Sequence, residues 1–177
     1  MCESEHIFRK ALDPRYLSVL ITGASPGGLG AETARAIARQ NPKLVILAGR
    51  NLSKLKITEE IIKSDGPSIA EIRLLQIDLG SQASVRKAAE EVNGYEGPID
   101  VLINNAAIMA VPFQLSVDGL ESQLATNHVG HFLFTNLIIS KLLAAEGGCR
   151  VVNVSSSGHK REKFRFEDYN FEVKSPP

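Results

Sequence analysis

An apolar run, Leu17-Ser18-Val19-Leu20-Ile21-Thr22, feeds straight into the glycine-dense turn Gly23-Ala24-Ser25-Pro26-Gly27-Gly28-Leu29-Gly30, and residues 31–39 beyond it carry helix-forming alanines. This succession of strand, turn and helix limits the fold more than any other feature of the chain. Glycines let backbone N–H groups approach an anion closely, and a following helix aims its unpaired N–H groups and positive dipole end at the same point. A pyrophosphate suits that geometry, so a nucleotide is the expected ligand. A glycine turn alone is ordinary loop punctuation. Here a second apolar run at residues 44–47 follows the helix and completes a βαβ unit.

The alternation continues along the chain. Strand-like runs at 17–22, 44–48, 69–77, 99–103 and 150–154 are separated by helical patterns at 31–39, 52–64, 81–92 and 117–145. Helical crossovers make neighbouring strands parallel. The expected fold is therefore α/β: a doubly wound parallel sheet in a Rossmann-like three-layer αβα sandwich. Val101-Leu102-Ile103 and Val151-Val152 read as fully buried central strands. Ser81 is a plausible N-cap for a helix whose apolar face is Val85, Ala88, Ala89 and Val92. Segment 117–145 is apolar over a wide arc, through Leu120, Leu124, Leu133, Phe134, Leu137, Ile138, Leu142 and Leu143. Such a helix either sits deep in the core or offers its second face to another copy, making a homo-oligomer.

With 177 residues, 44% of them hydrophobic, the chain can bury a sizeable core as one domain, with residues 1–16 as a lead and 158–177 as an irregular tail. Twenty basic and twenty acidic residues leave no global field to favour nucleic acid or an anionic membrane, so any anion is held locally. Cys2 and Cys149 lie far apart without CxxC spacing, and His6, His128, His131 and His159 have no ligand pattern; they read as reduced thiols and as structural or exposed imidazoles, with no metal site. Glu3, Glu5, His6, Arg9, Lys10 and Asp13 break any signal-peptide core, and residues 132–145 are too short to span a bilayer. A soluble cytoplasmic protein with a small-molecule substrate is the expectation.

In dinucleotide-binding units an acidic residue about 20 positions beyond the glycines takes the ribose hydroxyls of NAD. This chain has Arg50 there, at the end of the second strand. A guanidinium at that place forms a charge-assisted fork to a 2′-phosphate, and Lys54 stands one helical turn further on. NADP(H) is thus the expected cofactor; as solvated surface charges the two residues would carry no such role.

The glycine turn, Asp78-Leu79 after the third strand, Asn104-Asn105-Ala106-Ala107 after the fourth, Asn127 in the long helix and Val152-Asn153-Val154-Ser155-Ser156 at the fifth occur together and in order. This set resembles the short-chain dehydrogenase/reductase family, over about residues 17–157. The wording Asn-Asn-Ala-Ala-Ile-Met and Ser-Ser-Ser-Gly-His is most similar to its fungal and retinol-dehydrogenase-like members. The resemblance implies a strand order 3-2-1-4-5 and oxidoreduction of a carbonyl or alcohol. It implies that Gly23, Gly28, Leu29 and Gly30 meet the cofactor, that Asp78 hydrogen-bonds the adenine with Leu79 beside it, and that Asn105 and Ala106 line the adenosine ribose pocket. Ser156 matches the serine that polarises the substrate carbonyl, with Ser155 one register away. Asn127 matches the asparagine that supports a water chain to the active-site lysine. Asp78 as a helix cap and Asn104-Asn105 as a strand-end clasp are the structural alternatives.

Two departures stand out. The turn is one residue longer than Thr-Gly-x-x-x-Gly-x-Gly, leaving either Gly27 or Gly28 in the middle role, with Pro26 stiffening the loop. The family's proton donor, a tyrosine with a lysine four residues on, has no counterpart: four residues after Tyr16, Tyr95 and Tyr169 stand Leu20, Ile99 and Val173, and Lys174 is five from Tyr169. The expectation is a chain truncated at its carboxyl end, lacking the family's last strands and weakly active or inactive. The alternatives are a non-catalytic NADP(H) sensor and another enzyme of the same fold, such as a methyltransferase. Without later strands, residues 150–154 would form an exposed edge, and the tail would either fold back over it or stay mobile.

Overall fold

A computed structural model describes residues 13–66, 70–160 and 162–173; Cys2, His6, Lys174 and Ile69 of the expected third strand lie outside them. The strands are β1 (Ser18–Thr22), β2 (Leu44–Gly49), β3 (Glu71–Gln76), β4 (Val101–Asn104) and β5 (Arg150–Asn153). They form one parallel sheet in the order β3-β2-β1-β4-β5, as the resemblance implied.

All residues of β1 and β2 are buried, as expected of parallel strands covered on both faces. Successive side chains take opposite sides. Val19, Ile21, Val45 and Leu47 pack with α1 (Leu29–Ala38) and α2 (Leu52–Ser64) through Ala34, Ala38, Leu55 and Ile62. Leu20, Leu44 and Ile46 pack on the other side with α3 (Gln82–Asn93) and the later helices, through Val85, Ala89, Phe134, Ile138 and Leu142. Helices α2 and α3 start where the sequence supplies a cap: Asn51 Oδ1 accepts from Lys54 N at 3.1 Å, and Ser81 Oγ from Ser84 N at 3.4 Å.

Segment 117–145 is not the single helix its apolar content suggests. Gly119, at φ +76°, sits in a turn closed by Ser116 N donating to Leu120 O at 2.7 Å, a conformation no helix continues through. The helical path starts at Ser122–Leu124, where the buried Glu121 carboxylate accepts from Gln123 N and Leu124 N. It widens into a π turn at Ala125–Val129, returns to α geometry in α4 (Gly130–Leu137), and bends at Ile138 into α5 (Ile139–Leu143).

The expected burial of Val151 and Val152 is also corrected. β5 pairs only with β4 among the described residues, so both side chains are exposed at the sheet edge. The described residues of the tail do not cover that edge. It folds instead onto the 119–121 turn, where buried Asn170 accepts from Glu121 N at 2.8 Å and donates to Gly119 O at 2.9 Å. No helix among the described residues is long and apolar enough to cross a membrane.

Candidate cofactor and active site

The strand order reverses direction between β1 and β4, and in open parallel sheets ligands bind at the carboxyl ends of the strands flanking such a point. Thr22 ends β1 there. Its Oγ1 accepts from Asn105 N and Ala106 N, both at 3.0 Å, and Asn105 Nδ2 donates to Thr22 O at 2.8 Å. The first loop is thereby stitched to the exit of β4. Thr58 of α2 fastens its far side, donating to Ala24 O at 2.8 Å; a threonine within the buried stripe Leu55, Thr58, Ile62 was its only signal in the sequence.

The glycines differ in purpose. Gly23 lies at φ +72°, and a Cβ on it would sit 2.8 Å from Ala106 Cα. A Cβ on Gly30 would lie 2.5 Å from both Gly23 O and Asn105 Nδ2. Gly27 takes up the extra residue at φ +75° with open space around it, while Gly28 caps α1 without any side-chain hydrogen bond. The middle position facing the cleft is therefore Gly28, and the first N–H groups of α1 have no side chain competing for them.

A cleft of about 400 Å³ opens over this turn. Gly23, Gly28, Leu29, Arg50, Lys54, Leu79, Asn105 and Ala106 line it, together with Ser25, Asn51, Ile77, Ile108 and Thr126, which the motif reading passed over. The latter are sequence neighbours of recognised positions or, for Thr126, part of the π turn. Arg50 and Lys54 are exposed and form no ion pair among the described residues. Two expected residues do not line the cleft, although Asp78 is only half-buried. Gly30 is buried beneath the turn, and Asp78 shapes the bend after β3, its Oδ1 accepting from Gly80 N at 3.0 Å and its N–H donating to Ser84 Oγ at 2.9 Å.

A second cleft, about 820 Å³, adjoins the first along Asn105, Ala106, Ala107 and Ile108. Asn127, Ser155 and Ser156 line it, with His128 and His159. Ser156 Oγ accepts from Gly158 N at 3.2 Å. Asn127 sits in the π turn, a feature frequent at functional sites, and its amide clasps Ile108 from both ends: Oδ1 accepts from Ile108 N at 2.9 Å and Nδ2 donates to Ile108 O at 2.8 Å. His131 also lines this cleft, almost wholly buried in its wall, and burial holds its pKa below the ordinary imidazole value. None of the three tyrosines lines either cleft. Tyr95 donates to Glu91 at 2.6 Å, and burial followed by that bond pushes its pKa up, away from acid work at neutral pH. Among the described residues no three His, Cys, Asp or Glu side chains cluster as metal ligands.

Comparison with known proteins agrees with this architecture. The family model described as short chain dehydrogenase matches residues 18–170. The chain is 43% identical over 161 residues to the short-chain dehydrogenase/reductase prx1 of Penicillium roqueforti, covering 89% of this chain and 46% of that protein. It is 37% identical over 157 residues to retinol dehydrogenase 13 of Mus musculus, again covering 89% and 46%. A crystal structure of an uncharacterized protein from Mycobacterium Paratuberculosis superposes with a TM-score of 0.74 at 38% identity, over 94% of this chain and 57% of that one. The chain thus spans about half the length of the curated relatives it matches. Together with the sheet order and the paired clefts, the match establishes that this chain belongs to the short-chain dehydrogenase family.

Proposed function

We propose that the chain is the NADP(H)-binding part of an oxidoreductase acting on a carbonyl or alcohol. The observation that carries the reading is the joining, in one cleft, of a side-chain-free helix start with two cations that have no acidic partner among the described residues. Gly23 and Gly28 let the backbone approach a pyrophosphate, and Gly30 lets the helix start pack tightly beneath it. Arg50 forks to the 2′-phosphate, and Lys54 adds a second positive charge. Leu79 flanks the adenine, Asp78 hydrogen-bonds it from the bend it builds, and Asn105 and Ala106 border the adenosine ribose; Leu29, 77% exposed, covers the cofactor from the turn. When bound, the nicotinamide supplies the hydride.

Ser156 polarises the substrate oxygen from the adjoining cleft. Asn127 holds the β4 exit through Ile108 and so fixes the boundary between the two clefts. Neither cleft contains a tyrosine, so these 177 residues hold no phenol to protonate an alkoxide. Saturable cofactor binding with little turnover is the expected behaviour. Family membership sets aside the methyltransferase alternative; a sensor role shares the binding chemistry and differs in having no substrate.

An NADPH-oxidation assay with a panel of ketones and aldehydes tests the reading beside equilibrium binding. Arg50→Ala should weaken NADPH about tenfold, equivalent to about 1.4 kcal/mol, and leave NADH unchanged. Equal loss for both cofactors would place Arg50 outside the 2′-phosphate site.

A further inference from the structure

The buried imidazole of His131 bridges two segments that the proposed cofactor site requires to be fixed. Its Nε2 lies 2.9 Å from Thr22 Oγ1, and its Nδ1 lies 3.3 Å from the Asn127 carbonyl oxygen in the π turn. Distances alone leave open which nitrogen carries the proton. The surroundings of Thr22 decide it.

A hydroxyl oxygen accepts at two lone pairs, and both on Thr22 are taken by Asn105 N–H and Ala106 N–H at 3.0 Å. The hydroxyl hydrogen then has two acceptors within reach, Ile103 O at 3.4 Å and His131 Nε2 at 2.9 Å. The shorter contact is the stronger one. An Nε2–H would instead point at an oxygen with no free lone pair, leaving a buried donor unsatisfied. The Asn127 carbonyl can only accept, so Nδ1 is the nitrogen that bears hydrogen.

We propose that His131 is a positioning residue: as the neutral Nδ1–H tautomer it accepts the Thr22 hydroxyl proton and donates to Asn127 O, locking the glycine turn, the β4 exit and the π turn in one register. The chain of bonds runs Asn105 and Ala106 to Thr22, Thr22 to His131, His131 to Asn127, and Asn127 through its amide to Ile108. It starts and ends on the segment shared by the two clefts. An imidazolium cannot complete this ring of bonds, since both its nitrogens donate. His128 is the titratable neighbour whose charge acts on the ring.

The consequence for cofactor affinity rests on the proposed NADP(H) reading; the state of the imidazole does not, and the test keeps them apart. Long-range 1H–15N spectra of the full chain, labelled at histidine and recorded at neutral pH without cofactor, report the tautomer directly. A pyridine-type nitrogen at Nε2 and a pyrrole-type nitrogen at Nδ1 are expected; the reverse assignment, or a charged ring, overturns the proposal. Thr22→Val removes the donor to Nε2 and should convert the single tautomer into a mixture; an unchanged spectrum would also overturn it. With NADPH, His131→Gln, which keeps an acceptor facing Thr22, should bind within about twofold of wild type, and His131→Leu about fivefold to tenfold more weakly, the fold-change of one lost hydrogen bond. Equal affinity of the Leu variant, at matched folding, would reduce His131 to a core filler, whereas absence of NADPH binding by the wild-type chain would contradict the cofactor reading and leave the tautomer result standing.

Discussion

At Gly30 a single methyl group would collide with the Gly23 carbonyl and the Asn105 amide, while at Gly27 it would meet nothing within 4 Å. Both positions are glycines of one turn, yet their substitution should fail differently. Gly30→Ala has to push the turn off the β4 exit, an overpacking cost of about 1–3 kcal/mol, and should lower NADPH affinity with it. Gly27→Ala bears only the left-handed backbone penalty, about 1–2 kcal/mol, and should keep the affinity because the residue does not line the cleft. Urea midpoints and NADPH fluorescence titrations of the two variants separate these effects. His131 sets a second expectation. Its native pKa is lowered, so below the unfolded value of about 6.5 the unfolded chain binds a proton that the native chain refuses. Stability should therefore fall as pH drops from about 6.5 toward the lower native value, and His131→Gln should flatten that part of the profile. At this scale the sequence exposed the motif residues, because each stands at fixed spacing from a strand end. It did not expose Thr58 or the role of His131, whose partners, Ala24 and Thr22, are 34 and 109 positions away.

Among the elements, α3 was readable in full: its cap, Ser81, and its stripe of Val85, Ala88, Ala89 and Val92 are local features of the chain. The 117–145 segment was not. Its apolar residues fit a continuous helix, but the Gly119 turn and the Glu121 cap interrupt it, braced by Asn170 from 49 positions away, and Asn127 of the π turn is held to Ile108, 19 positions away. For β5 the reading of Val151 and Val152 as fully buried failed while the exposed edge expected without later strands is observed, since a valine run specifies a strand and says nothing of how many neighbours it has. The edge has a measurable consequence. Val151 and Val152, on opposite faces of this edge strand, are 39% and 45% exposed, and the unpaired edge invites edge-to-edge pairing. Val152→Lys should reduce concentration-dependent association in light scattering while changing the free energy of urea unfolding by no more than about 0.5 kcal/mol. A large loss of stability would mean that the side chain is packed.

Across the whole molecule, the parallel sheet and its layers followed from the alternation of strands with helices, whereas the strand order was legible only through the family resemblance. The site follows from the order. Reversal between β1 and β4 parts the loops at their carboxyl ends, α1 starts in the gap, and the end of β2 carries Arg50 to its rim. Neither the crossing of the two clefts at 105–108 nor the loop of bonds through His131 was visible until the segments were brought together. Selective capture of a dinucleotide bearing a 2′-phosphate is the property on which the proposed function stands. Calorimetric titration of the folded chain with NADPH and with NADH tests it most directly. Saturable heat with NADPH and at least about tenfold weaker binding of NADH is the expected result; no heat with either, or preference for NADH, would contradict it.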